Sequence, residues 1–183
     1  MLEIIIFVVV VALDQVSKAL AAELLTALPG GSFPLIDGVF HLTYVENVGA
    51  AFGMLKNARW FFIAATLIVC AVMIFVLIKE HKKLHGLMRA ALALILAGAV
   101  GNLIDRVVLG YVRDMLHFAL INFAVFNVAD SALTVGTAIL VLDVLFGKGR
   151  ALLADKPKAA PAPDAVDSAG HDAANTEDEE KQD

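Results

Sequence analysis

Asp114 and Asp130 sit at the margins of strongly apolar stretches, in Val112-Arg113-Asp114 and Phe126-Asn127-Val128-Ala129-Asp130. A carboxylate beside hydrocarbon costs about 2.5–3.5 kcal/mol even on lenient insertion scales, so an acid at membrane depth marks a functional site by default. Two such acids flanking one short loop suit a pair that shares a proton and acts on a substrate. The residues alone leave a structural reading open. Asp114 could pair with neighbouring Arg113, and Asp130 could be a first-turn acid favoured by a helix macrodipole.

Other polar residues fall in the same layer. Asp14 and Lys18 are spaced i,i+4, Asn102 with Asp105 and Arg106 i,i+3,i+4, and Asn127 with Asp130 i,i+3, so each set can share a helix face. Asp14–Lys18 and Asp105–Arg106 read first as ion pairs that hold a bundle, and Asn102 and Asn127 as hydrogen-bonding or capping groups between helices. Asp143 lies far along the last span and is expected at the opposite interface. Rival chemistries lack their parts. His41, His81, His85, His117 and His171 place no two ligands inside the bundle, so no metal is expected. Ser17 and Ser131 have no histidine beside them, and Gly49-Ala50-Ala51-Phe52-Gly53 lacks the lysine of a phosphate cradle.

The elements that must position these groups follow from hydropathy. The 183-residue chain is 60% hydrophobic, with mean hydropathy +0.80, far above a soluble domain. Four spans of about 20 residues, the length a bilayer core demands, fall at 2–22, 60–78, 87–108 and 128–146. Between the first two, Pro34 and Asp37-Gly38 mark turns, and residues 39–45 alternate with period two as a strand would. Residues 107–127 read as a loop. From 148 the chain turns Ala/Pro/acid-rich and is expected to be a disordered, acidic, cytoplasmic tail. From Ala151 onward that tail holds nine acids against three bases, so the chain's net charge of −5 leaves residues 1–150 near +1 and implies no nucleic-acid partner. Cys70 is the single cysteine and cannot form an internal disulfide.

Lysine and arginine set the expected orientation. Lys79, Lys82, Lys83 and Arg89 follow span two, and Lys148, Arg150, Lys156 and Lys158 follow span four, against Lys56, Arg59, Arg106 and Arg113 on the other side. Both termini are therefore expected in the cytoplasm, with the polar layer near the outer leaflet. A cleaved signal peptide is the competing reading of span one, through Ala19-Leu20-Ala21, but Glu3, Asp14 and Lys18 do not suit one.

These motifs, with Asp14-Gln15-Val16-Ser17-Lys18, Asn47-Val48-Gly49-Ala50-Ala51-Phe52-Gly53 and Gly101-Asn102-Leu103-Ile104-Asp105-Arg106, come in the order seen in bacterial lipoprotein signal peptidases, or signal peptidase II. The resemblance covers about residues 10–147. Met115 departs from it, since the family commonly has an aromatic after the aspartate. The resemblance implies an all-α inner-membrane aspartic endopeptidase with four transmembrane helices and a small extracytoplasmic β-cradle between the first two, at about 30–55. Its substrates would be diacylglyceryl-modified prolipoproteins, cut just before the lipidated cysteine, and it would need no cofactor. By position Asp114 and Asp130 become the catalytic dyad, supported by Asp14, Lys18, Asn47, Gly49, Asn102, Asp105, Arg106, Asn127 and Ala129. A monomer in contact with membrane lipids is expected. The rival class is a small proton or ion carrier relaying through Asp14, Asp105 and Asp130. A carrier should carry polar groups through both leaflets and show internal repeats, and neither is legible.

Overall fold

A computed structural model describes residues 1–49, 54–55 and 57–147. The expectations for residues 50–53, for Lys56 and for the acidic tail lie outside the described residues.

Four helices are each long and apolar enough to cross a membrane: α1 (Leu2–Thr26), α2 (Arg59–Lys79), α3 (Gly86–Val108) and α4 (Val128–Phe146). The outward faces of α1, α2 and α4 carry exposed leucine, isoleucine, valine and phenylalanine, as a lipid-facing surface requires. α3 differs. Half of its most apolar stretch is buried, against 17–22% for the others, which makes it the central post. Its buried face is small: Ala91, Ala93, Ala97, Gly98 and Gly101. Small residues let helix backbones approach closely in a bundle. A Cβ on Gly98 would collide with the Ala129 carbonyl oxygen, and one on Gly136 would lie 2.8 Å from the Ala91 carbonyl oxygen.

The β region is a three-stranded antiparallel sheet in the order β1-β2-β3. β2 (Phe40–Asn47) corresponds to the strand expected at 39–45, and it pairs with β1 (Ser32–Ile36) across a turn at Gly38, whose φ of +69° suits glycine. Pro34, expected at a turn, lies inside β1, an edge strand of the kind that tolerates proline. The third strand corrects the expected architecture. β3 (Val112–Phe118) comes from the stretch between α3 and α4 that reads as a loop, so the sheet is not confined to the first inter-helix segment. β3 pairs with β2 through His41–His117 and Val45–Asp114, with an irregularity between Leu42 and Val45. Such bulges often re-aim a side chain beside an active site. Here the bulge lies next to the Val45–Asp114 pair.

α1 runs a turn further than its hydropathy suggests, to Thr26. In that turn Leu25 is buried with Ala21 and Met115, and Leu42, Tyr44 and Leu116 pack on the cluster. Met115 is therefore an apolar anchor of the sheet on α1, 3% exposed. At the other end of the bundle Arg89 binds Glu3 at 2.7 Å, and His85 Nε2 meets Asp143 Oδ2 at 2.7 Å. Asp143 is buried there, at the end of the bundle away from the polar layer, against His85 of the loop before α3.

Candidate active site

α1 and α3 build a buried charged layer first. Asp14 and Lys18, one turn apart on α1, lie 2.8 Å apart and are both fully buried. Asp14 Oδ1 also accepts the Ala129 backbone N–H at 2.9 Å, which ties α4 to α1. This close approach needs small residues: a Cβ on Gly101 would lie 2.6 Å from Asp14 Oδ2. Lys18 Nζ donates to Asn102 Oδ1 at 2.9 Å and lies 3.6 Å from Asp105 Oδ2. Asp105 then takes a second cation, Arg113 from β3, at 2.7 Å. One buried cation, Lys18, and one half-buried cation, Arg113, thus face two buried carboxylates, the pairing that buried charge requires.

The Asp105–Arg106 pair expected from sequence is not formed. Adjacent residues on a helix point about 100° apart and do not face each other. Asp105 turns inward to Lys18 and Arg113, while Arg106 donates to the Gly49 carbonyl at 3.3 Å and lies over the Phe62 ring at 4.9 Å. Arg113 likewise does not pair with Asp114. Strand alternation sends the two to opposite faces.

The candidate dyad is assembled on this layer. Asp114, 2% exposed, accepts Asn47 Nδ2 at 3.1 Å on one oxygen and Asn127 Nδ2 at 2.7 Å on the other. Asp130 accepts Asn102 Nδ2 at 2.7 Å and the Asn127 backbone N–H at 3.2 Å. Asn127 is the N-cap of α4 rather than part of its face. Its side-chain oxygen accepts the Asp130 N–H at 2.9 Å, completing a reciprocal capping box with Asp130. One asparagine therefore touches both carboxylates and caps the helix that carries one of them.

Both carboxylates line a cavity of about 580 Å³ with Asn47, Gly49, Asn102 and Arg106, walled on the apolar side by Phe126, Leu133 and Val135. A second recess of about 510 Å³ shares Asn47, Gly49 and Asp114 and adds Glu46 and His117. Burial, and then the charge of Asp130, push the Asp114 carboxyl up from its ordinary 3.8 to about 7. Arg106 is the cation lining the main cavity, so one proton shared between Asp114 and Asp130 leaves that set of three neutral.

The structure brings all eleven sequence-selected residues together. Asn47, Gly49, Asn102, Arg106, Asp114 and Asp130 line the cavity; Asp14, Lys18, Asp105, Asn127 and Ala129 stand behind it. Two participants were not singled out. Gln15 donates to Asp14 Oδ2 at 3.1 Å and to the Gly101 carbonyl at 3.1 Å, and Arg113 grips Asp105. Only a prediction of β3 would have turned Arg113 away from Asp114 in advance.

Four apolar helices, a small sheet and two carboxylates on one cavity describe a multi-pass membrane protein with a site suited to acid–base chemistry. The model for the family signal peptidase (SPase) II matches residues 6–146. The chain is 52% identical over 146 residues to a lipoprotein signal peptidase of Caldanaerobacter subterraneus, covering 80% of this chain and 97% of that one. It is also 52% identical over 138 residues to one of Brevibacillus brevis, covering 74% and 89%. A bacterial membrane enzyme solved by the in meso method at 2.3 Å superposes with TM-score 0.73 and 34% identity, covering 86% of this chain and 93% of that chain. The chain belongs to the signal peptidase II family and is a peptidase.

Proposed function

We propose that this chain is an aspartic endopeptidase that removes signal peptides from diacylglyceryl-modified prolipoproteins, cutting just before the lipidated cysteine. The observation that carries the reading is the joining of Asp114 and Asp130 by Asn127 at one shared cavity. In the resting pair Asp130 is the ionised member and Asp114 holds the shared proton. Asp130 takes a proton from water as the water oxygen attacks the scissile carbonyl carbon, and Asp114 donates its proton to the carbonyl oxygen. Asp130 then returns its proton to the leaving amine as the C–N bond breaks, and Asp114 recovers one from the collapsing diol. Asn47 and Asn127 hold the Asp114 carboxyl, Asn102 holds Asp130, and Arg106 offers a cation to the substrate's polar groups. The apolar wall of Phe126, Leu133 and Val135 suits acyl chains and an apolar signal helix entering from the bilayer.

In this reading residues 1–147 form the peptidase domain, working as a monomer in the bacterial inner membrane. Both termini lie in the cytoplasm, the cavity lies near the outer leaflet, and 148–183 form an acidic cytoplasmic tail. The carrier reading is disfavoured by the interior of α3. Between the site layer and the His85–Asp143 pair its buried residues are Met88, Ala91, Leu92, Ala93, Ala97, Gly98 and Ala99, all apolar, which offer no relay. The test is cleavage of a synthetic lipidated precursor peptide, with the products mapped by mass spectrometry. The reading expects a single cut before the modified cysteine, EDTA-insensitive, and little cleavage of the unlipidated peptide. A cut elsewhere, or equal cleavage of both peptides, contradicts it.

A further inference from the structure

Arg113 occupies an unusual place in this framework. It directly precedes Asp114 on β3 and points the opposite way, away from the cavity. Its NH2 group donates to Asp105 Oδ1 at 2.7 Å, and both its Nε (3.2 Å) and its backbone N–H (2.9 Å) donate to Oδ2. Asp105 thus receives the side chain and main chain of one residue together. NH2 also donates to Gln15 Oε1 at 3.1 Å. Asp105 is itself immobile, being fully buried on the central helix and within reach of Lys18. From the other side, Asn127 Nδ2 reaches the Arg113 carbonyl at 3.4 Å and Asp114 Oδ1 at 2.7 Å. The peptide units on both sides of Arg113 are therefore fastened, one to α3 and one to the cap of α4. α3 holds the other carboxylate as well, since Asn102, one turn before Asp105, binds Asp130.

We infer that Arg113 is a positioning residue for proteolysis, its forked contact to Asp105 registering β3 on α3 so that the Asp114 and Asp130 carboxylates are held at a fixed separation. The inference rests on the aspartic reading above. Planar forked geometry is what lysine cannot reproduce at such a site. Arg113 does not line the cavity, so it acts through Asp114 rather than on substrate.

The test compares full-length wild type, Arg113→Lys, Arg113→Gln and Asp114→Asn in detergent, on a synthetic diacylglyceryl-modified precursor peptide, normalised to folded protein. Misplacing a reacting group by about 1 Å can cost a hundredfold in rate, so Arg113→Gln should lower kcat roughly ten- to hundredfold while KM stays within about twofold. Arg113→Lys should recover folded yield but only part of kcat. In both variants the two limbs of the pH–rate profile should move closer together, because a looser pair repels less and its two apparent pKa values spread less. Should Arg113→Gln fail to fold, Arg113→Lys carries the test alone. Wild-type kcat in Arg113→Lys, a lower kcat with an unmoved pH profile, or a change confined to KM would each overturn the positioning role. Asp114→Asn separates the two ideas: if it still cleaves, the aspartic reading falls, whatever Arg113 does.

Discussion

Asp114 and Asp130 have different neighbours, and the difference makes the site responsive to pH. Asp114 is held between two asparagine amides with its carboxyl raised to about 7, while Asp130 is tied into a helix cap. A rate that needs one proton on the pair should be bell-shaped, with its alkaline limb near pH 7 and both limbs belonging to the pair. A rate that climbs steadily to pH 9 would point to another base. Stability carries the same signature. Asp114 ionises near 3.8 when unfolded and near 7 when folded, so between those values the folded state holds a proton that the unfolded state lacks. Its contribution to stability therefore falls as pH rises from about 4 to about 7 and is flat above. Asp114→Asn removes that slope. Thermal unfolding in detergent should show the variant gaining on wild type between pH 4 and pH 8, and a constant difference would mean the carboxyl is not raised. At this scale the sequence was informative: every selected residue lies at the site. What it could not supply were partners. Asp105 prefers Arg113, a cation from another element, over its immediate neighbour.

The four helices and β2 were legible because hydropathy and period-two alternation report burial directly, whereas Pro34 read as a turn and hid β1. β3 was not legible either. In Val112-Arg113-Asp114-Met115-Leu116-His117-Phe118 the alternation is broken by Asp114, a polar side chain buried next to the buried Met115. A buried polar residue thus hides the pattern that reveals strands. The start of α4 was legible, at residue 128, but the role of Asn127 beside it stayed open between a shared face and a cap. Asn127 and Asp130 at i,i+3 fit a shared helix face and a capping box equally well, and only the backbone decides for the cap. The cap gives an element-scale prediction. Asn127→Ala should cost about 1 kcal/mol of stability, as N-cap losses do. It also removes the amide that touches Asp114, so turnover should fall far more than folded yield. Equal losses of turnover and yield would make Asn127 a cap and nothing more.

Across the whole molecule, polarity is concentrated at the two ends of the bundle. One end holds the charged layer, sheet and cavity. The other holds two fastenings, Glu3–Arg89 between α1 and α3, and His85–Asp143 between the loop before α3 and α4. These far contacts hold helix ends and lie remote from the cavity, so His85→Ala should cost stability on the order of 1–3 kcal/mol, as a lost buried hydrogen bond does. Cleavage per folded molecule should be unchanged, and a drop in it would show that the two ends are coupled. The burial of Asp143 was hidden in the sequence because its partner, His85, comes from a different element 58 residues away. The central claim is that Asp114 and Asp130 act as one catalytic unit. It is tested most directly by the single-turnover rate of lipidated-precursor cleavage by Asp114→Asn, Asp130→Asn and the double variant, each confirmed folded. The account predicts that either single change abolishes cleavage and that the double variant is no worse. Near-wild-type cleavage by either single variant would contradict it.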